Sequence, residues 1–191
     1  MKKVTISKIL EIGTQLIGAK GFNNVGLNEI LSTADIPKGS FYYYFKSKED
    51  FGLQVIRYYS QESIVLLKSY LEDTRYSPKE RFMRFFKDMR MAYQQKAYTE
   101  GCLLGNCSLE LGDIKGSYAQ TINKELEEWQ LIFEKCIQEG QKDQSIKNEM
   151  PAKKLAAFLL NNWEGALLRM KSAKSGEALD IFIEMTEEIL F

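Results

Sequence analysis

Apolar residues near the start of the chain recur every three or four positions, which places them on one face of a helix. They are Ile6, Ile9, Leu10, Gly13, Leu16 and Ile17. The pattern predicts a first helix of about sixteen residues that ends at Gly21 as a C-cap residue. A shorter second helix is predicted from Leu27 to about Ala34, with Ile30 and Leu31 facing inward.

The remainder of the chain also has helical spacing, since it contains few prolines and no alternating run long enough to predict a sheet. Ser47 and Asp50 have capping-box spacing, which predicts the start of a long fourth helix that continues to about Asp73. Five further helices are expected over about residues 78–97, 101–112, 115–141, 151–172 and 176–191. The sequence therefore predicts an all-α fold of about nine helices, with a domain boundary between residues 1–47 and 48–191.

Residues 36–50, the recognition segment, read Ile-Pro-Lys-Gly-Ser-Phe-Tyr-Tyr-Tyr-Phe-Lys-Ser-Lys-Glu-Asp. Three consecutive tyrosines argue against an ordinary core helix, because side chains about 100° apart cannot all face inward. The small residues would instead let the backbone approach a DNA major groove, which admits a helix. Tyrosine hydroxyls and a lysine would contact phosphates. The predicted DNA-contact residues of this region are Lys38, Gly39, Ser40, Tyr42, Tyr43, Tyr44 and Lys48.

These motifs resemble those of the TetR family of bacterial transcriptional repressors. The similarity is most specific over residues 5–55. It rests on the segments Pro37–Tyr42, Ser47–Glu49 and Phe51–Gly52. The resemblance implies a three-helix helix-turn-helix head over residues 1–47, with a base contact by Asn28. It also implies a helical domain for ligand binding and dimerisation. Gly26 departs from the pattern because members usually have Thr or Ser there, and Tyr44 stands where His is common.

The charge distribution is compatible with a double-stranded DNA partner, although the formal net charge of the 191 residues is zero. Residues 1–48 contain seven lysines and three acidic residues, a net charge of +4, so the remaining residues carry a net charge of −4. A basic head suits contact with phosphates, but an excess of this size gives only weak support. The hydrophobic content of 45% allows a substantial core in one or two domains.

What the sequence lacks excludes several classes of site. It has no histidine, which rules out Ser-His-Asp or Cys-His catalysis and a histidine-ligated metal. It has no glycine-rich phosphate loop, so we expect no catalytic residues, metal or cofactor. No apolar run of about 18 residues and no signal-peptide core occur, which predicts a cytoplasmic protein without membrane contact.

The last two predicted helices have apolar arcs that are broader than one packed stripe. Either arc could belong to the core, but two wide arcs near a chain end favour contact with a symmetry mate. The resemblance likewise implies a homodimer through these helices, whose two heads would read a palindromic operator. The predicted interface residues are Phe158, Asn162, Trp163, Leu167, Phe182 and Met185.

Cys102 lies where the sixth helix is expected to begin. Amide hydrogens and the helix dipole stabilise a thiolate there, so this thiol could sense an electrophile or oxidant. The chain is similar to the N-ethylmaleimide reductase repressor branch of the family at Cys102 and Lys171, and this implies that the pair takes part in sensing. Cys102 could instead be a small packing residue. Cys107 and Cys136 are expected to be buried free thiols.

A small effector that binds reversibly is the alternative to a covalent one. Aromatic and methionine side chains could line an apolar cavity, although such stripes usually form the core. The candidate effector residues are Phe86, Met89, Arg90, Tyr93, Trp129, Phe133 and Trp163. Two other classes of protein remain as alternatives. A thiol-dependent enzyme would need Cys102 to be activated without histidine, and a purely structural helical protein would leave the recognition segment unexplained.

Overall fold

The computed structural model describes residues 6–113 and 116–191. The helices are α1 (Ile6–Lys20), α2 (Leu27–Thr33), α3 (Phe41–Tyr44), α4 (Lys48–Leu71), α5 (Pro78–Gln95), α6 (Leu103–Leu111), α7 (Gly116–Asp143), α8 (Ala152–Ala173) and α9 (Glu177–Met185). A 3₁₀ turn over Lys38–Ser40 precedes α3, and a π-helical turn over Thr186–Leu190 follows α9. The described residues contain no strand, and the predicted all-α fold of nine helices is confirmed. Within these two ranges no helix is both long and apolar enough to cross a lipid bilayer.

The helix ends near the N-terminus follow local signals. α1 ends one residue before Gly21, whose φ of +82° is a left-handed conformation that glycine adopts without strain. At the start of α4, the Ser47 hydroxyl accepts a hydrogen bond of 3.0 Å from the Asp50 N–H. The Asp50 carboxylate accepts from the Lys46 N–H at 2.9 Å, so the reciprocal half of the predicted capping box is made one residue earlier.

The contacts within the chain define two compact units. Unit 1 comprises the described residues up to Glu62 together with Cys102–Glu125. Unit 2 comprises Ser63–Gly101 and Leu126–Phe191. Unit 1 therefore joins the N-terminal helices with α6 and the first part of α7.

Aromatic rings from four helices form the core of unit 2. Phe86 of α5 lies against Trp163 of α8 and Phe182 of α9, with ring centroids 5.0 and 4.9 Å apart. Phe133 of α7 packs edge-on against the same Phe86 ring at 6.2 Å. Edge-to-face and tilted contacts at these distances are the arrangements that aromatic rings prefer, and they hold the helices of this unit together.

Candidate nucleic-acid interface

Two buried phenylalanines orient the recognition segment. Phe41 and Phe45 are both 1% exposed, and their ring centroids lie 5.9 and 5.0 Å from that of the buried Phe51 at the start of α4. Because these two side chains, four residues apart, face inward, Tyr42 and Tyr43 face outward and are 70% and 85% exposed. Large neighbouring rings that remain exposed on a folded unit are typical of a binding surface.

The backbone at the leading end of this segment is also accessible. Gly39 is exposed, and a Cβ built on it would meet no other atom within 4 Å. The fold itself therefore does not require glycine at this position, which leaves close approach of a partner as a reason for it. Ser40 is half-buried. The side chain of Lys38 lies outside the described residues.

The other predicted DNA-contact residues also belong to unit 1. Asn28 in the first turn of α2 and Lys48 in the first turn of α4 are exposed. The Lys48 ammonium lies 5.0 Å from the centroid of the Phe22 ring, a cation–π distance. Tyr44 is half-buried with its ring edge-on to that of Tyr43, the centroids being 5.1 Å apart.

Lys46 is a candidate that the sequence reasoning did not include. It lies between α3 and α4, and its side chain is exposed. The sequence indicates it only by position, since Lys46 and Lys48 lie on either side of Ser47, the cap residue of α4.

The three cysteines occupy different environments. Cys102 is the N-cap residue of α6 and is 4% exposed. Burial, with a contribution from the Glu110 carboxylate, raises the pKa of the Cys107 thiol to about 12. Burial also raises the pKa of Cys136 to about 12. These two thiols are therefore buried and protonated at neutral pH, as predicted. Lys171 is half-buried in the last turn of α8 and belongs to unit 2, whereas Cys102 belongs to unit 1.

The candidate effector residues all belong to unit 2. Phe86, Phe133 and Trp163 contact other rings of the core directly, and Trp129 is also buried. Met89 and Tyr93 are half-buried. The Arg90 guanidinium donates to both carboxylate oxygens of Asp180, at 2.8 and 3.0 Å, and these hydrogen bonds raise the pKa of Arg90.

α8 and α9 form an apolar groove of about 320 Å³ on unit 2. Its lining residues are Phe158, Asn162, Ala166, Ala178, Ile181, Phe182, Met185 and Thr186. Phe158 and Ile181 are more than half exposed, and Met185 is 46% exposed. Large apolar side chains that remain this exposed beside a groove are typical of a contact surface.

Three of the predicted interface residues have little surface to offer a partner. Trp163, Leu167 and Phe182 are buried, and the rings of Trp163 and Phe182 pack against each other and against α5. The exposed members of the predicted interface are Phe158, Asn162 and Met185, to which the structure adds Ile181, and Phe182 lines the groove beside them.

Comparisons with known proteins agree with this arrangement. The family described as bacterial regulatory proteins, tetR family, matches residues 9–55, and the tetracyclin repressor-like C-terminal domain matches residues 78–186. The HTH-type transcriptional repressor DhaR of Mycobacterium sp. (strain GP1) is 36% identical over 182 residues, which cover 95% of this chain and 90% of DhaR. The HTH-type transcriptional repressor NemR of Escherichia coli (strain K12) is 26% identical over 186 residues, which cover 97% of this chain and 94% of NemR.

Solved structures show the same similarity. The crystal structure of regulatory protein TetR from Rhodobacter sphaeroides has a TM-score of 0.92 at 28% identity, covering 99% of this chain and all of that one. The crystal structure of E. coli NemR in its reduced form has a TM-score of 0.87 at 25% identity, covering 96% and 95% of the two chains. With family matches to both its N-terminal and its C-terminal region, the chain belongs to the TetR family of DNA-binding transcriptional repressors.

Proposed function

We propose that this protein is a homodimeric repressor that binds a palindromic operator through residues 26–48. The observation that carries the proposal is the outward face of the recognition segment, where Tyr42 and Tyr43 are exposed because Phe41 and Phe45 are buried. Tyrosine hydroxyls donate hydrogen bonds to phosphate oxygens and so fix the protein on the duplex. Gly39 lets the backbone enter the major groove, where base edges are read.

The remaining residues of the head complete the proposed contact. Lys48 adds a cation at the phosphates, and we include Lys46 for the same reason, since both side chains are exposed. Asn28 is proposed to contact a base edge. For Lys38, Ser40 and Tyr44 we propose the DNA contacts that the sequence predicts.

The dimer is proposed to form through the α8–α9 groove. In a twofold interface, each copy presents the same surface to the other, so the exposed Phe158 of one copy would enter the groove of its partner. Four helices would then meet at the interface. This arrangement would bury the exposed apolar side chains and set the distance between the two heads.

The test of the DNA contacts begins with a duplex selected from a random pool by the unaltered protein. The double variant Tyr42→Ala with Lys48→Ala should bind this duplex at least about tenfold more weakly, because two contacts to phosphate are lost from each head. Its helix content should be unchanged, since both side chains are exposed. Lys153→Ala, which removes an exposed lysine from α8, is the matched control. Equal binding by the double variant and the unaltered protein would rule out the assignment.

The proposed effector is an electrophile or oxidant that modifies Cys102. Support comes from its position as the N-cap residue of α6, at the positive end of the helix dipole, and from the raised pKa values of Cys107 and Cys136, which keep those two thiols protonated. In the reaction with N-ethylmaleimide, the thiolate sulfur bonds to one alkene carbon, and the other alkene carbon takes a proton from water. Because Cys102 is buried, the adduct does not fit the existing packing, and the start of α6 must move.

DNA release after treatment with N-ethylmaleimide or hypochlorite tests this effector. Cys102→Ser should stay bound to the selected duplex, while Cys107→Ser and Cys136→Ser should be released like the unaltered protein. Complete release of Cys102→Ser would rule out Cys102 as the sensor. A reversible ligand in unit 2, the alternative, would have to separate the contacting rings of Phe86 and Trp163.

A further inference from the structure

Unit 1 contains a contact to the head that the proposed DNA contacts do not explain. The carboxylate of Glu110, near the end of α6, accepts a hydrogen bond of 3.1 Å from the backbone N–H of Asn23. Asn23 lies in the turn that joins α1 to α2. The same carboxylate fills the space beside Gly21, where an added Cβ would lie 2.5 Å from the Glu110 Oε1 atom. The turn is thus closed around a side chain that comes from a distant part of the sequence.

A second contact within unit 1 holds the head independently of Glu110. The Ser117 hydroxyl donates a hydrogen bond of 2.8 Å to the carboxylate of Glu49. Tyr118, which is 4% exposed, packs edge-on against Phe22 with ring centroids 5.6 Å apart. Because these contacts do not involve Glu110, unit 1 should stay assembled when the Glu110 carboxylate is lost. Phe22 then keeps its ring contact with Tyr118, and the backbone at Asn23 loses its hydrogen bond.

We infer that Glu110 is a positioning residue for operator recognition, acting through the α1–α2 turn without touching DNA. α2 and the recognition segment follow this turn directly in the chain, so the turn sets the direction in which they leave α1. A hydrogen bond from a backbone amide to a carboxylate is stronger than one between neutral groups. It orders the turn before DNA arrives, so less conformational freedom is lost on binding. The inference rests on the proposed DNA contacts of the head.

The expected signature is a loss of sequence discrimination. Contacts to base edges require a recognition segment held in one orientation, whereas attraction to phosphates depends mainly on charge and persists in a mobile head. Loss of the hydrogen bond at Asn23 should therefore weaken binding to the selected duplex more than binding to an unrelated one. A residue that only stabilised the fold would affect the two alike.

The experiment compares Glu110→Ala, Glu110→Gln and Asp113→Ala in the full-length protein. Glutamine keeps an acceptor oxygen for the Asn23 N–H, and Asp113→Ala removes the same charge at a nearby exposed position. Dissociation constants are measured for the selected duplex and for an unrelated duplex of equal length. Glu110→Ala should bind the selected duplex about five- to tenfold more weakly and the unrelated duplex unchanged, while the other two variants stay within about twofold on both. Hydrogen exchange of the Asn23 amide should accelerate in Glu110→Ala alone.

Three outcomes would overturn the inference: unchanged binding of Glu110→Ala to the selected duplex, an equal loss on both duplexes, or the same loss in Asp113→Ala. If Glu110→Ala proves unstable, Glu110→Gln decides, since a tenfold loss with the Asn23 amide still protected would refute the positioning role. Failure of the unaltered protein to select any sequence would refute the proposed function itself. Failure of the proposed function can thus be distinguished from failure of the inference about Glu110.

Discussion

Phe158 provides a quantitative test of the proposed dimer. Its side chain is 54% exposed and lines the α8–α9 groove. An aromatic side chain presents about 200 Å², so covering the exposed part removes roughly 110 Å² from water. At about 25 cal/mol per Å², this burial contributes about 2.7 kcal/mol per ring. A twofold dimer buries two such rings, so their combined contribution to the free energy of dimer formation is about 5 kcal/mol.

Replacing Phe158 with alanine should therefore raise the dimer dissociation constant by about four-thousandfold. Sedimentation equilibrium over a range of protein concentrations measures this constant. Leu131→Ala on α7 is the matched control, because Leu131 is 53% exposed but does not line the groove. An unchanged dissociation constant for Phe158→Ala, or an equal rise for Leu131→Ala, would refute the proposed interface.

Two further predictions concern stability. Trp163→Ala should destabilise unit 2 by about 3–5 kcal/mol, because this large ring is buried in the core, and an unchanged thermal midpoint by circular dichroism would contradict that placement. Burial raises the pKa of Cys136 to about 12 in the folded protein, against 9.0 for an exposed thiol. The buried thiol therefore contributes fully to the free energy of unfolding below pH 9, and this contribution is lost as the pH rises towards 12. Between pH 8 and pH 10.5, the free energy of unfolding measured with denaturant should fall less for Cys136→Ala than for the unaltered protein. Equal falls would refute this.

The sequence predicts most helix ends because local signals determine them. Gly21 ends α1 through a backbone conformation that favours glycine, and Ser47 begins α4 through a hydrogen bond to a nearby amide. The outward direction of the tyrosines was also predictable, since consecutive side chains on a helix cannot share a face. The sequence did not indicate that the recognition segment starts as a 3₁₀ turn over Lys38–Ser40.

Features that depend on distant contacts could not be predicted in the same way. Phe158 and Trp163 are both large, apolar and on α8, and only packing against α5 and α9 leaves one exposed and the other buried. Periodicity therefore identified the two apolar arcs but not which members face a partner. Glu110 was missed because a single glutamate near a helix end has no distinctive pattern. Its significance comes from Asn23, 87 positions away in the sequence.

The central claim, that a dimer of this chain reads a palindrome through its two heads, is tested most directly by the sequences that the unaltered protein selects from a random duplex pool. We expect two inverted half-sites whose centres are about 10 base pairs apart or a multiple of that distance, so that both heads meet the same face of the duplex. Recovery of sequences without any shared motif, or of a single half-site without its inverted repeat, would contradict the account.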